Sequence, residues 1–448
     1  MGQLFGTDGF RGVAGRELTA ELAFRTGQAA TLVLTEDKRH KPLVIIGKDT
    51  RISSDMLEAA LAAGITSMGG DVLSLGVAPT PAVAFETIRR GADAGVVISA
   101  SHNSYEHNGI KLFDRSGFKL PDAVENSIEA HILSQEPLPQ RSHGDIGRIR
   151  REKDPLSAYV AHLAAIADAD LSHLHVVVDC ANGASVSTAA ALFAVLGVRA
   201  DILHDRPDGI NINHLCGSTH LESLSATVRD GGYDIGLAFD GDADRLLAID
   251  ETGALIDGDH MLGACAMDEA ARGYLPGNAL VATVMSNLGL HKFCRDKKLA
   301  LSCAGVGDRY VLEMMQQNGA QLGGEQSGHL IFLRHTSTGD GQLSAVKLLN
   351  VLARSGQKAS ALRQNIRLYP QMLKNITIPL DCKDRILQEA RLVQEIAQTE
   401  AVLEGDGRVL VRLSGTEPLV RVMIEGPDPV LVSELVDRLV RCIESLVH

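Results

Sequence analysis

Residues 95–103 read Gly95-Val96-Val97-Ile98-Ser99-Ala100-Ser101-His102-Asn103, a short unbroken apolar run that ends in a polar turn. A run of this length without polar alternation suits a strand covered on both faces of a sheet. The pattern recurs at Leu43-Val44-Ile45-Ile46 before Gly47, at Val176-Val177-Val178 before Asp179, at Ile235-Gly236-Leu237-Ala238-Phe239 before Asp240, and at Leu280-Val281-Ala282 before Thr283. Helix-like stretches such as 54–68 and 122–134 lie between the runs. Strands alternating with helices make α/β layers. In such sheets ligands gather outside the carboxyl ends of the strands, so the polar turns are where chemistry is expected.

The segment 135–154 is polar, carries Pro137 and Pro139, and reads as a connector. Further breaks fall near 250–259 and 354–368. The expected division is 1–154, 155–252, 253–367 and 368–448. The last part differs in character and reads as α+β. Its final helix has Asp428 as a cap, Pro429 in the first turn, and Val432, Leu435, Val436, Leu439 and Ile443 on one face.

The 448 residues are 45% hydrophobic and 22% charged, which suits a folded chain and not a disordered one. The net charge of -13 argues against nucleic acid or an anionic membrane as partner. The first residues show no basic stretch followed by an apolar run, so no secretory signal is expected, and no apolar run is long enough for a membrane span. Seven scattered cysteines without metal-ligand spacing point to a reducing compartment, the cytoplasm.

Ser101 and His102 sit directly after a buried run. A serine there serves as nucleophile or phosphate carrier, or it belongs to a plain polar turn. Lys111, in Asn108-Gly109-Ile110-Lys111, is placed to neutralise a phosphate or to lie solvated on the surface. Asp240-Gly241-Asp242-Ala243-Asp244-Arg245 sets three carboxylates at alternate positions on a tight loop, an oxygen-only set that suits Mg²⁺. An EF-hand calcium loop needs glycine at its sixth place, here Arg245, and a helix afterwards, where Leu246-Leu247-Ala248-Ile249 reads as a strand. Gly323-Gly324-Glu325-Gln326-Ser327-Gly328-His329 offers Glu325 and Ser327 to sugar hydroxyls, or is simply a turn. Arg412, Ser414, Gly415, Thr416 and Arg421 frame a phosphate cradle, or a β-turn between surface arginines. Arg11, among the glycines of 6–12, and Arg309, in 305–310, complete the candidates. Asp49-Thr50-Arg51 reads as a structural ion pair.

These motifs, in this order, resemble the α-D-phosphohexomutase family over essentially the whole chain. The family implies an α/β fold of three similar mixed-sheet α/β domains plus a C-terminal α+β domain around a central cleft. Carried over, Ser101 is the phosphoserine, and Asp240, Asp242 and Asp244 bind Mg²⁺ together with Ser101. Arg11, Lys111, His102 and Arg245 are catalytic. Glu325, Ser327, His329 and Arg309 bind the sugar, and Arg412, Ser414, Gly415, Thr416 and Arg421 grip the phosphate not being transferred. The implied reaction is two phosphoryl transfers through a 1,6-bisphosphate, with glucosamine 1,6-bisphosphate or glucose 1,6-bisphosphate as activator. Gln326, where mannose- and glucose-specific relatives often carry methionine, points to glucosamine phosphates, feeding amino-sugar and cell-wall precursor synthesis. The partner is a small-molecule sugar phosphate, and a homodimer is allowed. The alternatives are the mannose or glucose enzymes of the same family, a metal-dependent phosphohydrolase using a serine phosphate, and a non-catalytic sugar-phosphate sensor. Ser104 and Leu413 depart from residues common at their positions, proline at the first and lysine or proline at the second.

Overall fold

A computed structural model describes residues 6, 9–35, 40–134, 136–379, 382–383, 385–414 and 418–447. The first sheet contains β1 (Phe10–Val13), β2 (Leu43–Lys48), β3 (Asp71–Val77), β4 (Ala94–Ile98), β5 (His107–Asp114) and β6 (Ile149–Arg151), in the order β1-β5-β4-β2-β3-β6. β2 runs parallel to β3 and β4, while β5 is antiparallel to both β4 and β1. All five residues of β4 are buried, as its apolar run predicts. The alternation of strand side chains decides which helix each face receives. Val44, Ile46, Val96 and Ile98 enter one core with Leu57, Leu61 and Ile65 of the helix Ile52–Ser67. On the other face Gly47 and Gly95 let Val83 of the helix Thr80–Arg89 sit against the backbone.

The helices Ala20–Thr35 and Ile52–Ser67 cross at two glycines. A Cβ on Gly27 would lie 2.4 Å from the Leu61 carbonyl oxygen, and one on Gly64 would lie 2.1 Å from that of Phe24. Any larger residue there forces the helices apart.

A second sheet joins β7 (His175–Asp179), β8 (Arg199–Leu203), β9 (Ile235–Phe239), β10 (Leu246–Asp250) and β11 (Leu255–Ile256) in the order β11-β10-β9-β7-β8. A third joins β12 (Ala279–Thr283), β13 (Ala300–Ala304), β14 (Leu322–Gly324) and β15 (Leu330–Phe332) in the order β13-β12-β14-β15. Each of the three sheets is mixed in the same way. Its parallel strands are followed by an antiparallel hairpin: β4–β5, β9–β10 and β14–β15. The turns of these hairpins contain Ser101, the loop 240–245, and the loop 325–329. The three principal polar motifs of residues 1–365 therefore occupy equivalent places in three sheets.

Residues 1–285 and 299–365 form one compact unit. The second comprises 286–298 and 366–448. It holds a three-stranded antiparallel sheet of β16 (Gln371–Thr377), β17 (Arg408–Leu413) and β18 (Leu419–Glu425), ordered β16-β18-β17, with helices Ala390–Val402 and Pro429–Val447. Asp428 Oδ1 accepts the Val430 N–H at 2.9 Å, capping the last helix. Val432, Leu435, Val436, Leu439 and Ile443 are its buried residues, each worth about 1.5–3 kcal/mol when removed from water. The helix Leu288–Lys297 belongs to this unit: Asn287 exchanges hydrogen bonds with the Tyr369 backbone at 2.8 and 3.0 Å, and Gly289 packs on the Arg367 carbonyl. Among the described residues no helix is long and apolar enough to cross a membrane.

Candidate functional site

The turn after β4 holds Ser101 in the left-handed region at φ 51°, a conformation that costs a residue with a side chain of order 1 kcal/mol. The Ser99 hydroxyl accepts the Ser101 N–H at 2.9 Å. Ser101 is buried, and its Oγ donates to Asp240 Oδ2 at 2.5 Å. Hydroxyl-to-carboxylate bonds of this kind are short and strong.

Asp240 begins the turn between β9 and β10. Its Oδ1 accepts the Arg245 N–H at 3.2 Å, and Ala243 takes φ 58° at the apex. Asp240, Asp242 and Asp244 are all buried, and one oxygen from each lies within 4.8 Å of the others. Asp242 Oδ2 accepts from Lys111 Nζ at 2.8 Å and from Thr80 Oγ1 at 2.6 Å. Thr80 N–H also bonds the Asp242 carbonyl at 2.9 Å. Lys111 Nζ stands 3.5 Å from Asp244 Oδ2. The remaining oxygens, Asp242 Oδ1 and Asp244 Oδ1, accept no hydrogen bond among the described residues.

Three buried carboxylates this close repel one another, and their proton affinities separate. Burial, then Asp244 and Asp242, push Asp240 well above the usual carboxylate range. Burial would raise Asp244 too, but Lys111, His329 and Arg245 hold it well below. The donor set is oxygen only and buried, and two of its oxygens accept no hydrogen bond among the described residues. These residues fit a hard divalent cation.

Around the triad lie other expected residues. Lys111 is on β5, one residue from Ile110, which pairs with Phe10; Arg11 on β1 pairs with Gly109. Burial, then Arg245 and Arg11, lower the His102 imidazole to about 4, so it is neutral at ordinary pH. Its Nδ1 is 3.4 Å from Ser101 Oγ. His329, at the end of the third hairpin turn, lies 3.7 Å from Asp244 and 3.5 Å from Asp308. Burial opposes its charge, yet Asp244, Asp308 and Glu325 raise its pKa. Glu325 is pushed up by burial against the pull of His329 and Arg245. This turn is locked to its neighbours: Gly328 carbonyl accepts the Leu246 N–H at 3.0 Å, and Gln326 carbonyl the Gly258 N–H at 3.0 Å. Gly328, at φ 90°, admits no side chain, because a Cβ would lie 1.9 Å from the Leu246 carbonyl oxygen. Ser327 lies in the same turn, half-buried.

Arg309 is placed elsewhere. Its guanidinium pairs with Asp122, stands 3.7 Å from Glu125, and its Nε donates to Glu313 at 3.2 Å. Its neighbour Asp308 takes the inner position, between Lys119 and His329. In the second unit Arg412 and Arg421 face each other across β17 and β18. Burial and the neighbouring Arg421 lower the Arg412 pKa. Like charges opposed on paired strands cost stability, and an anion between them relieves it. Ser414 is buried beside them, its N–H on the Leu419 carbonyl at 2.8 Å. Gly415 and Thr416 lie outside the described residues. Thr80, Asp308 and Lys119 were not singled out from sequence. The only trace of Thr80 is the helix-opening Pro79-Thr80-Pro81.

Comparison with known proteins agrees with this arrangement. Models of the phosphoglucomutase/phosphomannomutase family match in order: alpha/beta/alpha domain I at 2–138, domain II at 157–253, domain III at 257–369, and the C-terminal domain at 376–441. A phosphoglucosamine mutase of Acetivibrio thermocellus is 49% identical over 446 residues, 99% of each chain. One from Moorella thermoacetica is 51% identical over 429 residues, 96% of each. The crystal structure of a phosphoglucomutase/phosphomannomutase family protein from Burkholderia thailandensis superposes with a TM-score of 0.80 at 26% identity, covering 98% of this chain and 97% of that one. With serine and aspartate loops on matching hairpins, four family domains in sequence and relatives at half identity across nearly every residue, the chain belongs to the phosphoglucomutase/phosphomannomutase family.

Proposed function

We propose that this phosphohexomutase interconverts glucosamine 6-phosphate and glucosamine 1-phosphate in the cytoplasm, through phospho-Ser101 and a 1,6-bisphosphate. The observation that carries the reading is the 2.5 Å contact of Ser101 Oγ with Asp240, at the edge of a buried carboxylate triad. The sugar rests on the relatives of about half identity, which are named phosphoglucosamine mutase.

Asp240, Asp242 and Asp244 would hold Mg²⁺, which when bound supplies positive charge to phosphoryl oxygens. In the first transfer the Ser101 Oγ–P bond breaks, an O–P bond forms to the free sugar hydroxyl, and the proton that hydroxyl loses ends, in net terms, on the freed Ser101 Oγ. The second transfer returns the other phosphate to Ser101. Ser101 needs no large motion, because its turn is already set toward the triad. Lys111 and Arg11 flank the moving group with positive charge, which a loose phosphoryl transition state requires. His102, with Nδ1 3.4 Å from Ser101 Oγ, lies close enough to hydrogen-bond the transferring group. Glu325, Ser327 and His329 bind the sugar, and the charge of His329 favours an ionised Glu325. Arg412, Ser414, Gly415, Thr416 and Arg421 bind the phosphate not in transfer. A trace of glucosamine or glucose 1,6-bisphosphate would recharge a Ser101 that has lost its phosphate.

The test is kcat/KM for glucosamine, glucose and mannose 6-phosphates under one condition. Glucosamine 6-phosphate is expected to give the highest value. A higher value for mannose or glucose phosphate would reassign the sugar.

A further inference from the structure

The carbonyl groups on either side of the Ser101 turn carry an unusual load. The Ser101 carbonyl accepts from Arg51 Nη2 at 3.1 Å and from Asn213 Nδ2 at 2.9 Å. The Asn103 carbonyl accepts from the same two groups, at 2.5 and 3.0 Å. Two side chains from different parts of the chain thus bridge the same pair of acceptors. Arg51 follows β2 and is fully buried. Its other amine pairs with Asp49, whose Oδ1 also accepts the Arg51 N–H and the Ser54 hydroxyl, both at 3.0 Å. Asn213 lies in the segment between β8 and β9, is 6% exposed, and has φ 57°. Its N–H bonds the Ala181 carbonyl at 2.9 Å, which fixes its position.

The metal loop closes against this same point. A Cβ on Gly241 would lie 2.4 Å from the Ser101 carbonyl oxygen and 2.8 Å from Asn213 Nδ2. The Gly241 carbonyl in turn accepts the Ala184 N–H at 2.8 Å. The strained serine, the loop of aspartates and the Asn213 amide therefore share one small volume.

We propose that Asn213 is a positioning residue for phosphoryl transfer: its amide pins the Ser101 and Asn103 carbonyls alongside the buried Arg51–Asp49 pair, and so holds Ser101 Oγ on the carboxylate triad. The inference rests on Ser101 being the phosphoryl carrier. Arg51 braces the turn from within the first sheet, and Asn213 ties it to the second, which carries the aspartates. Without that tie the left-handed serine loses the restraint that sets its hydroxyl against Asp240. The cost falls on the chemical step, because Asn213 reads no part of the sugar.

The experiment compares Asn213→Gly with Asn213→Asp. Glycine keeps the left-handed backbone and removes the donor. Aspartate keeps the shape and turns a donor toward carbonyls into an acceptor. Measured quantities are kcat and KM for glucosamine 6-phosphate, the single-turnover rate at which phosphorylated protein loses its phosphate to sugar, and the melting temperature. The expected result is a fall of about 10- to 100-fold in kcat and in the single-turnover rate, the range for a residue that orients a reacting group. KM stays close to that of the parent, because an interaction that acts only on the chemical step lowers kcat and kcat/KM together. Unchanged kcat, an unchanged single-turnover rate, a KM rise that accounts for the whole loss, or failure of both variants to melt cooperatively overturns the proposal. Ser101→Ala is assayed in parallel. An active Ser101→Ala removes the carrier reading itself, whereas a silent Asn213→Gly beside an inactive Ser101→Ala removes the positioning role alone.

Discussion

Ser101 Oγ and Asp240 Oδ2, 139 positions apart in the chain, meet at 2.5 Å with both side chains buried. A hydroxyl set on one sheet and a carboxylate set on another thus share a single hydrogen bond. That contact couples the proposed phosphoryl carrier to the proposed metal loop, and the predictions begin there.

Ser101→Ala removes the hydroxyl assigned as phosphoryl carrier. Turnover is expected to fall by at least about 10⁴-fold, the scale seen when a nucleophile is deleted. The fold should hold, since alanine keeps the backbone and loses one hydrogen bond. A coupled assay with added bisphosphate, alongside circular dichroism, checks both points. Turnover near the parent value would end the covalent mechanism.

Thr80 and Lys111 together occupy Asp242 Oδ2, while Oδ1 accepts no hydrogen bond among the described residues. Thr80→Val keeps the shape and deletes one of those donors. The expected effect is a loss of about 10-fold or more in Mg²⁺ affinity, as for other groups that orient a metal ligand. Mg²⁺ should also raise the melting temperature of the parent protein, and chelator should reverse it, because a ligand that binds only the folded state stabilises it. Calorimetric titration and thermal melts measure the two effects. A Thr80→Val protein with parental Mg²⁺ affinity would show that the contact orients nothing.

Burial pushes the Asp340 carboxyl up to about 7, although Leu343 N–H and Tyr159 OH both bond it at 2.9 Å. In the unfolded chain this group titrates at about 4. Between those values the folded protein holds a proton that the unfolded chain has lost, so Asp340 stabilises fully at pH below about 4, and that contribution is lost as pH rises through about 7. Asp340→Asn, which stays neutral, should flatten this part of the stability curve. Melting temperatures of parent and variant from pH 4 to 8 provide the check, and parallel curves would refute the assignment.

Arg412 and Arg421 sit opposite each other on β17 and β18. Arg412→Ala should raise KM for the sugar phosphate about 10- to 100-fold, the worth of one charge-assisted bond to an anion. Steady-state kinetics decide it. An unchanged KM would return the pair to an ordinary strand surface.

Much of the site was legible because its parts are local. Ser101 follows a recognisable buried run, and three aspartates at alternate places on one loop need no tertiary knowledge. The α/β character and the last helix followed from runs and caps in the same way. The partners of these groups were not legible. Thr80 reaches Asp242 across 162 positions, and Asn213 reaches Ser101 across 112, so neither has a local signature. Asp308 and Arg309 are adjacent, yet only the fold decides that the aspartate turns to His329 while the arginine turns to Asp122. The helix Leu288–Lys297 joins the second unit through Asn287 and Tyr369, a grouping that no sequence break announces.

The repeated hairpin has a consequence of its own. Carrier, cation and sugar are each assigned to a different copy of one device, a turn suspended between two antiparallel strands at the rim of a mixed sheet. Each turn enters and leaves by strands paired in a single unshifted register. The third turn is nonetheless no free-standing module: its backbone bonds Leu246 and Gly258 and its His329 stands beside Asp244, so a change of sugar preference written into it also reaches the carboxylates of the second turn.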